Sequence, residues 1–220
     1  MKKATMYSIL VLVLSLWQLQ ASDMREDVMD AVSILTTKQT SSNPIPAKIL
    51  RQAKAIGIIK ITKGAFGVGG ASGEGVIVVK MSSGWSAPIA FSQGGGSIGF
   101  QIGVDIKKLI YIFNTDAAWR AFVGANRVRF QAAAQATAGP DYVSEDAAEG
   151  LPECNVYVYA LADGAFAGTS IGGQMVGASN DTNEDAYHVV NVVDIIKGKV
   201  SPPPYARALY DLLNLTSKGK

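Results

Sequence analysis

The stretch Gly94–Lys108, GGGSIGFQIGVDIKK, carries two spacings that catalytic chains use. Gly94, Gly96 and Gly99 fit G-x-G-x-x-G, whose glycines let a backbone approach a pyrophosphate. Gly95, Ser97 and Gly99 fit G-x-S-x-G, the sharp turn that exposes a nucleophilic serine. Both chemistries need a helix to begin where the glycines end. The residues at that point alternate instead: Ile98, Phe100, Ile102, Val104 and Ile106 interleave with Ser97, Gly99, Gln101, Gly103 and Asp105. That is the pattern of a half-buried strand, so neither motif has its structural context. A serine hydrolase using Ser97 with His188 is kept as an alternative function, because the order Ser, Asp, His suits that fold. Against it, His188 is the single histidine and no parallel βαβ repeat precedes it.

Other catalytic or metal chemistry is poorly supplied. One His and one Cys, Cys154, cannot make a zinc site, and a lone cysteine forms no internal disulfide. Asp181, Asn183 and Asp185 imitate the start of a calcium loop. The glycine position of that loop is Ala186, however, and its twelfth position is Val192 where glutamate is needed. Helix capping is the ordinary role for such residues. No glycine run ends in Gly-Lys-Ser/Thr, so there is no P-loop. No cofactor is implied.

The remaining candidates are cations. Lys48, Arg51 and Lys54 fall within roughly 120° of arc on a helix predicted from Ala47 to Ala55, and Lys60 and Lys63 come next, on a strand. Taken alone, this is a solvated face. Beside an amphipathic N-terminal helix it becomes a patch that attracts an anionic membrane surface, where apolar area and cationic attraction add together. Each basic group is worth on the order of 1 kcal/mol at such a surface.

The elements that would position these residues can be read in order. Asp23 caps a helix, with Glu26 three residues on, and Val28, Ala31, Val32 and Leu35 continue at helical spacing. TSSNP is a loop. Pro44 and Pro46 open the short basic helix. From Ile56 the period becomes two, and two further strands, broken by glycines, are predicted through Lys80. GWSAP turns the chain, since Pro88 cannot sit in a central strand. Strands are predicted over Ser97–Ile106, Lys107–Asn114, Arg127–Thr137 and Asn155–Leu161, with a helix over DAAWRAFV capped by Asn114 or Thr115. Gly64-Ala65-Phe66 and Gly164-Ala165-Phe166 read as two hairpins with the same turn chemistry, or as a weak repeat. An acidic loop, DYVSEDAAEGLPE, lies between the last strands. The C-terminal third closes in helices over NEDAYHVV, VVDIIKG and PPPYARALYDLLNL, with Gly198 as a cap. Glycines sharing one strand face, Gly67 with Gly69 and Gly99 with Gly103, suggest a curled sheet or a close approach of backbone. The fold class is therefore α+β: a curved, barrel-like antiparallel sheet with N-terminal and C-terminal helices packed against it.

At 220 residues and 48% hydrophobic content the chain can build one cored domain. Lys2 and Lys3, an apolar run over Met6–Leu19 and Leu19-Gln20-Ala21 make a secretory leader cut before Ser22. The rival, an uncleaved anchor, is short for a bilayer span. Residues 22–220 then form the single domain, exported to the periplasm or the medium. There are 20 basic and 18 acidic residues; without the two leader lysines they balance. Affinity for an anion must come from local clustering, and no nucleic-acid partner is implied.

The ordered set AKAIGIIKITKGAFGVGGASGEGV (53–76), GWSAPIAFSQGGGSIGFQIGVD (84–105), IYIFNTDAAWRAF (110–122), AAAQATAGP (132–140) and YVYALADGAFAGTSIGG (157–173) resembles the SYLF-domain family. These are lipid-binding modules that include the actin-binding domain of yeast actin-patch proteins and secreted bacterial members. The resemblance implies a non-enzymatic module that binds acidic phospholipid through its N-terminal helical region, here the segment around Lys48, Arg51 and Lys54. With an exported, bacterial-type chain the expected lipid is a bacterial anionic phospholipid, and actin is not an expected partner. An envelope protein-interaction module is the other alternative, with Trp85 in its turn as a contact and two exposed tryptophans as its mark.

Overall fold

The computed structural model describes residues 23–66, 68–97, 102–124, 127–130, 136–138, 155–161, 174–188 and 191–218. Its centre is the hairpin of β1 (Ala55–Phe66) and β2 (Val68–Met81), paired without interruption from Ala55↔Val79 to Phe66↔Val68. The glycines predicted to break these strands do not break them. They let the sheet curl instead: a Cβ on Gly75 would lie 2.0 Å from the Ile58 carbonyl oxygen, and one on Gly73 would lie 2.6 Å from Ile61 Cγ1. Only a residue without a side chain permits that approach. Gly67 and Gly99 lie outside the described residues.

Outward from the hairpin, β4 (Ile89–Ser97) pairs with β2, and β5 (Ile102–Phe113) pairs with β1, both antiparallel. This corrects the predicted boundaries. Ser97 ends a strand beside Gly69, and β5 runs unbroken through Lys107. Beyond these lie β9 (Met175–Ala178) on one side and β8 (Val156–Ala160) on the other. The strand predicted over 127–137 is in fact two short ones at opposite edges. β6 (Val128–Arg129) pairs with β9, and β7 (Ala136–Ala138) pairs with β8 in the sheet's single described parallel ladder. The two-residue β3 (Gly84–Trp85) folds back on the end of β2. The order β6-β9-β4-β2-β1-β5-β8-β7 is a curled α+β half-barrel, as expected.

Strand alternation sorts the side chains into two cores. One face receives α1 (Met24–Gln39), α2 (Ala47–Gln52) and α6 (Arg207–Ser217). Met24, Val28, Ile34 and Leu35 of α1, Ile49 and Leu50 of α2, and Leu209 and Leu213 of α6 are buried against Ile56, Ile58, Val76 and Val78. Fully burying such a side chain stabilises by about 1.5–3 kcal/mol. The other face is aromatic. Phe91, Tyr111, Phe113, Phe122 and Phe130 pack with Trp119, and Phe113 and Phe122 meet edge to face at 4.8 Å. It is closed by α3 (Asp116–Phe122), capped by Thr115, and by α5 (Val192–Ile196). Inside it, Tyr111 donates to Gln93 Oε1 at 2.8 Å, and Gln93 Nε2 donates to Gln174 at 2.8 Å. Burial pushes the Tyr111 phenol far above its ordinary value, so it stays a neutral donor.

α4 (Asn180–Tyr187) contains the residues that imitate a calcium loop. Asn183 is buried and uses its amide on Ala90, accepting from its N–H at 2.8 Å and donating to its carbonyl at 3.0 Å. It continues the edge of β4 where β9 stops, which is a structural role. No cluster of metal-ligating side chains occurs among the described residues.

Candidate functional site

The second helix is shorter than predicted. It stops at Gln52 because Ala53 turns extended, with φ −54° and ψ 134°, and Lys54 lies in the link to β1. Lys48 and Arg51 are half-buried on α2, and Lys54 is exposed. Arg51 Nη1 donates to the Ser217 carbonyl at 3.2 Å, joining α2 to the end of α6. Arg51 and Lys54 lie at one end of the sheet, where β1 begins and β2 finishes, and Lys48 is about one turn earlier on α2.

Lys60 and Lys63 do not join them. Lys60 is on the helix-covered face and is ion-paired with Asp30 of α1. Its hydrogen bond to Asp30, with the nearby charges of Asp30, Glu26 and Asp27, raises its pKa against the opposing effect of burial. Lys63, three residues on, alternates to the opposite face. There it sits across from Asp105 and near Lys107. Burial and the Lys107 charge lower its pKa.

Another cation takes their place. Lys80 lies next to Lys54 across the hairpin, with its N–H bonded to the Lys54 carbonyl at 2.8 Å. Its Nζ donates to the Arg51 carbonyl at 2.7 Å, and it stands over the Trp85 ring at 5.9 Å from the centroid. Lys80 and Trp85 are direct cross-strand partners. Local periodicity did not single out Lys80. The signal was the tight turn Ser82-Ser83-Gly84, which folds position 85 onto position 80. Gly84 has φ 123°, a conformation that other residues rarely adopt. The composition of this region points the same way. From Ala31 to Val104 the only acidic residue is Glu74, against Lys38, Lys48, Arg51, Lys54, Lys60, Lys63 and Lys80.

The apolar partner expected for these cations is not free. The apolar stripe of α1 is buried in the helix-side core, with Met29 its one large exposed hydrophobic side chain. Peeling α1 away would also bare Ile56, Ile58, Val76 and Val78.

Nor is the geometry that of a hydrolase. Ser97 is paired within a sheet, β5 begins five residues later, and His188 is an exposed helix cap at φ 56°. Trp119 is 1% exposed, so among the described residues Trp85 is the one tryptophan at the surface. No described helix is long and apolar enough to cross a membrane.

A curled sheet clasped on one face by α1, α2 and α6, with cations at one rim, defines a class of helix-clasped half-barrel domains. The chain belongs to the Ysc84 family, described as "Las17-binding protein actin regulator", which matches residues 94–216. This bears out the resemblance drawn from the sequence. Among its relatives, "LAS seventeen-binding protein 3" of Saccharomyces cerevisiae is 30% identical over 174 residues, 77% of this chain and 38% of that protein. "SH3 domain-containing YSC84-like protein 1" of Homo sapiens is 30% identical over 202 residues, 88% of this chain and 59% of that protein. The chain thus spans less than two thirds of these relatives. No solved structure matches it. The family description names an actin regulator, which removes the ground for setting actin aside as a partner.

Proposed function

We propose that this chain is an exported, non-catalytic binding module for anionic phospholipid surfaces. Lys48, Arg51 and Lys54, with Lys80, form the contact. The observation that carries this reading is the meeting of Arg51, Lys54 and Lys80 at one end of the sheet, tied together through the Arg51 and Lys54 carbonyls, with Lys48 about one turn earlier on α2, within a stretch that has a single acid. Lys60 serves to hold α1 to the sheet, and Lys63 belongs to the opposite face. Export is supported by the leader-like sequence and by the start of α1 at Met24, two residues after Ser22. N-terminal sequencing of the chain recovered outside the cytoplasm should begin at Ser22.

Vesicle flotation tests the binding. The chain from Ser22 should float with anionic vesicles at low salt and not with zwitterionic ones. Because each cation contributes about 1 kcal/mol, Lys48→Glu, Arg51→Glu and Lys54→Glu together should weaken binding by roughly a hundredfold or more. Absence of flotation under every condition would sink the reading. A protein partner would then come forward, since the yeast relative is named for binding another protein.

A further inference from the structure

We infer that Trp85 is an interfacial anchor: its indole enters the headgroup layer of an anionic bilayer while the surrounding cations hold the lipid charge. The inference rests on the membrane reading above and adds the residue that fixes depth and orientation.

The two described tryptophans differ in one respect. Trp119 is buried in the aromatic core, its Nε1 donating to Asp116 at 2.9 Å. Trp85 is half-buried on the returning strand of a hairpin, packed against the edge of the helix-side core with part of its ring left open. A large amphipathic ring left at the surface suits a boundary between polar and apolar media, where tryptophan concentrates in membrane proteins. The hairpin that carries it is held firmly. Tyr187 donates to the Pro88 carbonyl at 2.7 Å and Tyr210 to the Ser86 carbonyl at 2.9 Å. Val79 N–H donates to Ser86 Oγ at 3.0 Å, and Trp85 Nε1 donates to Asn214 at 3.3 Å. Burial pushes the Tyr187 and Tyr210 phenols well above their ordinary values, so both remain donors. An anchor already ordered loses little freedom when it docks.

The charge around the ring selects the occupant. Lys80 stands over it, and Arg51 and Lys54 are joined to Lys80 through their carbonyls. No acid occurs between residues 75 and 104. A neutral bilayer offers nothing to these cations, whereas anionic headgroups do. Since α1 keeps its apolar stripe in the core, Trp85 supplies the apolar contact that the helix cannot.

The test uses the full chain carrying Trp17→Phe, so that Trp85 and the core Trp119 are its only indoles. It is mixed with vesicles of phosphatidylglycerol and phosphatidylcholine, or of phosphatidylcholine alone, each containing brominated acyl chains. Any tethering by the apolar N-terminal run is common to both vesicle types. The expected result is quenching of Trp85 emission with the anionic vesicles only. It should be reversed by high salt, with anionic-vesicle affinity about tenfold weaker for Trp85→Ala and about fivefold weaker for Lys80→Gln. Unchanged Trp119 emission reports that each variant is folded. Salt-sensitive binding to anionic vesicles with Trp85 unquenched would overturn the anchor and leave the cationic contact standing. Quenching of equal size in both vesicle types would also overturn it. Indifference to lipid charge in both binding and quenching, with salt-sensitive co-sedimentation on actin filaments instead, would remove the membrane reading and the anchor together.

Discussion

The two faces of one sheet are built from different parts of the chain and by different means. The aromatic face is closed by segments from the middle and later part, α3, Phe130 and α5, around interlocking rings and a buried Tyr–Gln–Gln chain. The helix-covered face is aliphatic and closed by α1, α2 and α6. Charge separates them further. On the helix side, cations collect at the rim and Lys60 finds Asp30; on the other side, Lys63 lies near a second lysine. The contrast sets a core of rings and buried hydrogen bonds on one face against an aliphatic core with cations at its rim on the other.

The strongest way to break this contrast is to empty the aromatic core. Phe122 meets Phe113, Phe130 and Tyr111 at 4.8, 5.5 and 5.6 Å between centroids. Phe122→Ala should cost about 3–5 kcal/mol, read as a lower denaturation midpoint, with vesicle binding unchanged under conditions where the variant is still folded. Filling the curl comes next. Gly75→Ala forces a methyl group into the Ile58 carbonyl, and overpacking of this kind costs about 1–3 kcal/mol or more. A neutral result would show that the hairpin can flatten. Smaller still is Asp30→Asn. Both partners of the pair are 36% exposed, so the loss should stay within about 0.2–1 kcal/mol.

The finest test uses pH. The raised pKa of Lys60 means that the folded chain holds its proton more tightly than the unfolded one. Its contribution is complete below the ordinary lysine value of 10.5 and is lost as pH rises through the folded value. Lys63 runs the other way: with its folded pKa lowered, stability rises with pH between that lowered value and 10.5. Unfolding measured against pH should therefore show Lys60→Gln flattening an alkaline decline and Lys63→Gln removing an alkaline rise. Slopes of the same sign would mean that the two lysines share an environment.

Local patterns made much of this legible. The spacing of Val28, Ala31 and Leu35 marked α1, Thr115 the start of α3, and Gly198, at φ 70°, the end of α5. What escaped depended on distant pairing. Gly73 and Gly75 are ordinary strand glycines until Ile58 and Ile61 lie opposite them. Val128 and Ala136 share one alternating run, yet the sheet sends them to opposite edges. Lys54 kept helical spacing with Arg51, but β1 claims Ala55 as the partner of both Val79 and Phe113, which pulls the chain straight just before it. For the same reason Lys80 was invisible until the hairpin brought it to Trp85.

The side-by-side packing of α1 and α6 has a consequence in time. Residues 24–35 leave the ribosome long before Leu209 and Leu213, which the aliphatic core they enter also requires. Contacts this far apart in sequence slow folding. The helix-side core stays open until α6 is made, and α1 waits for it.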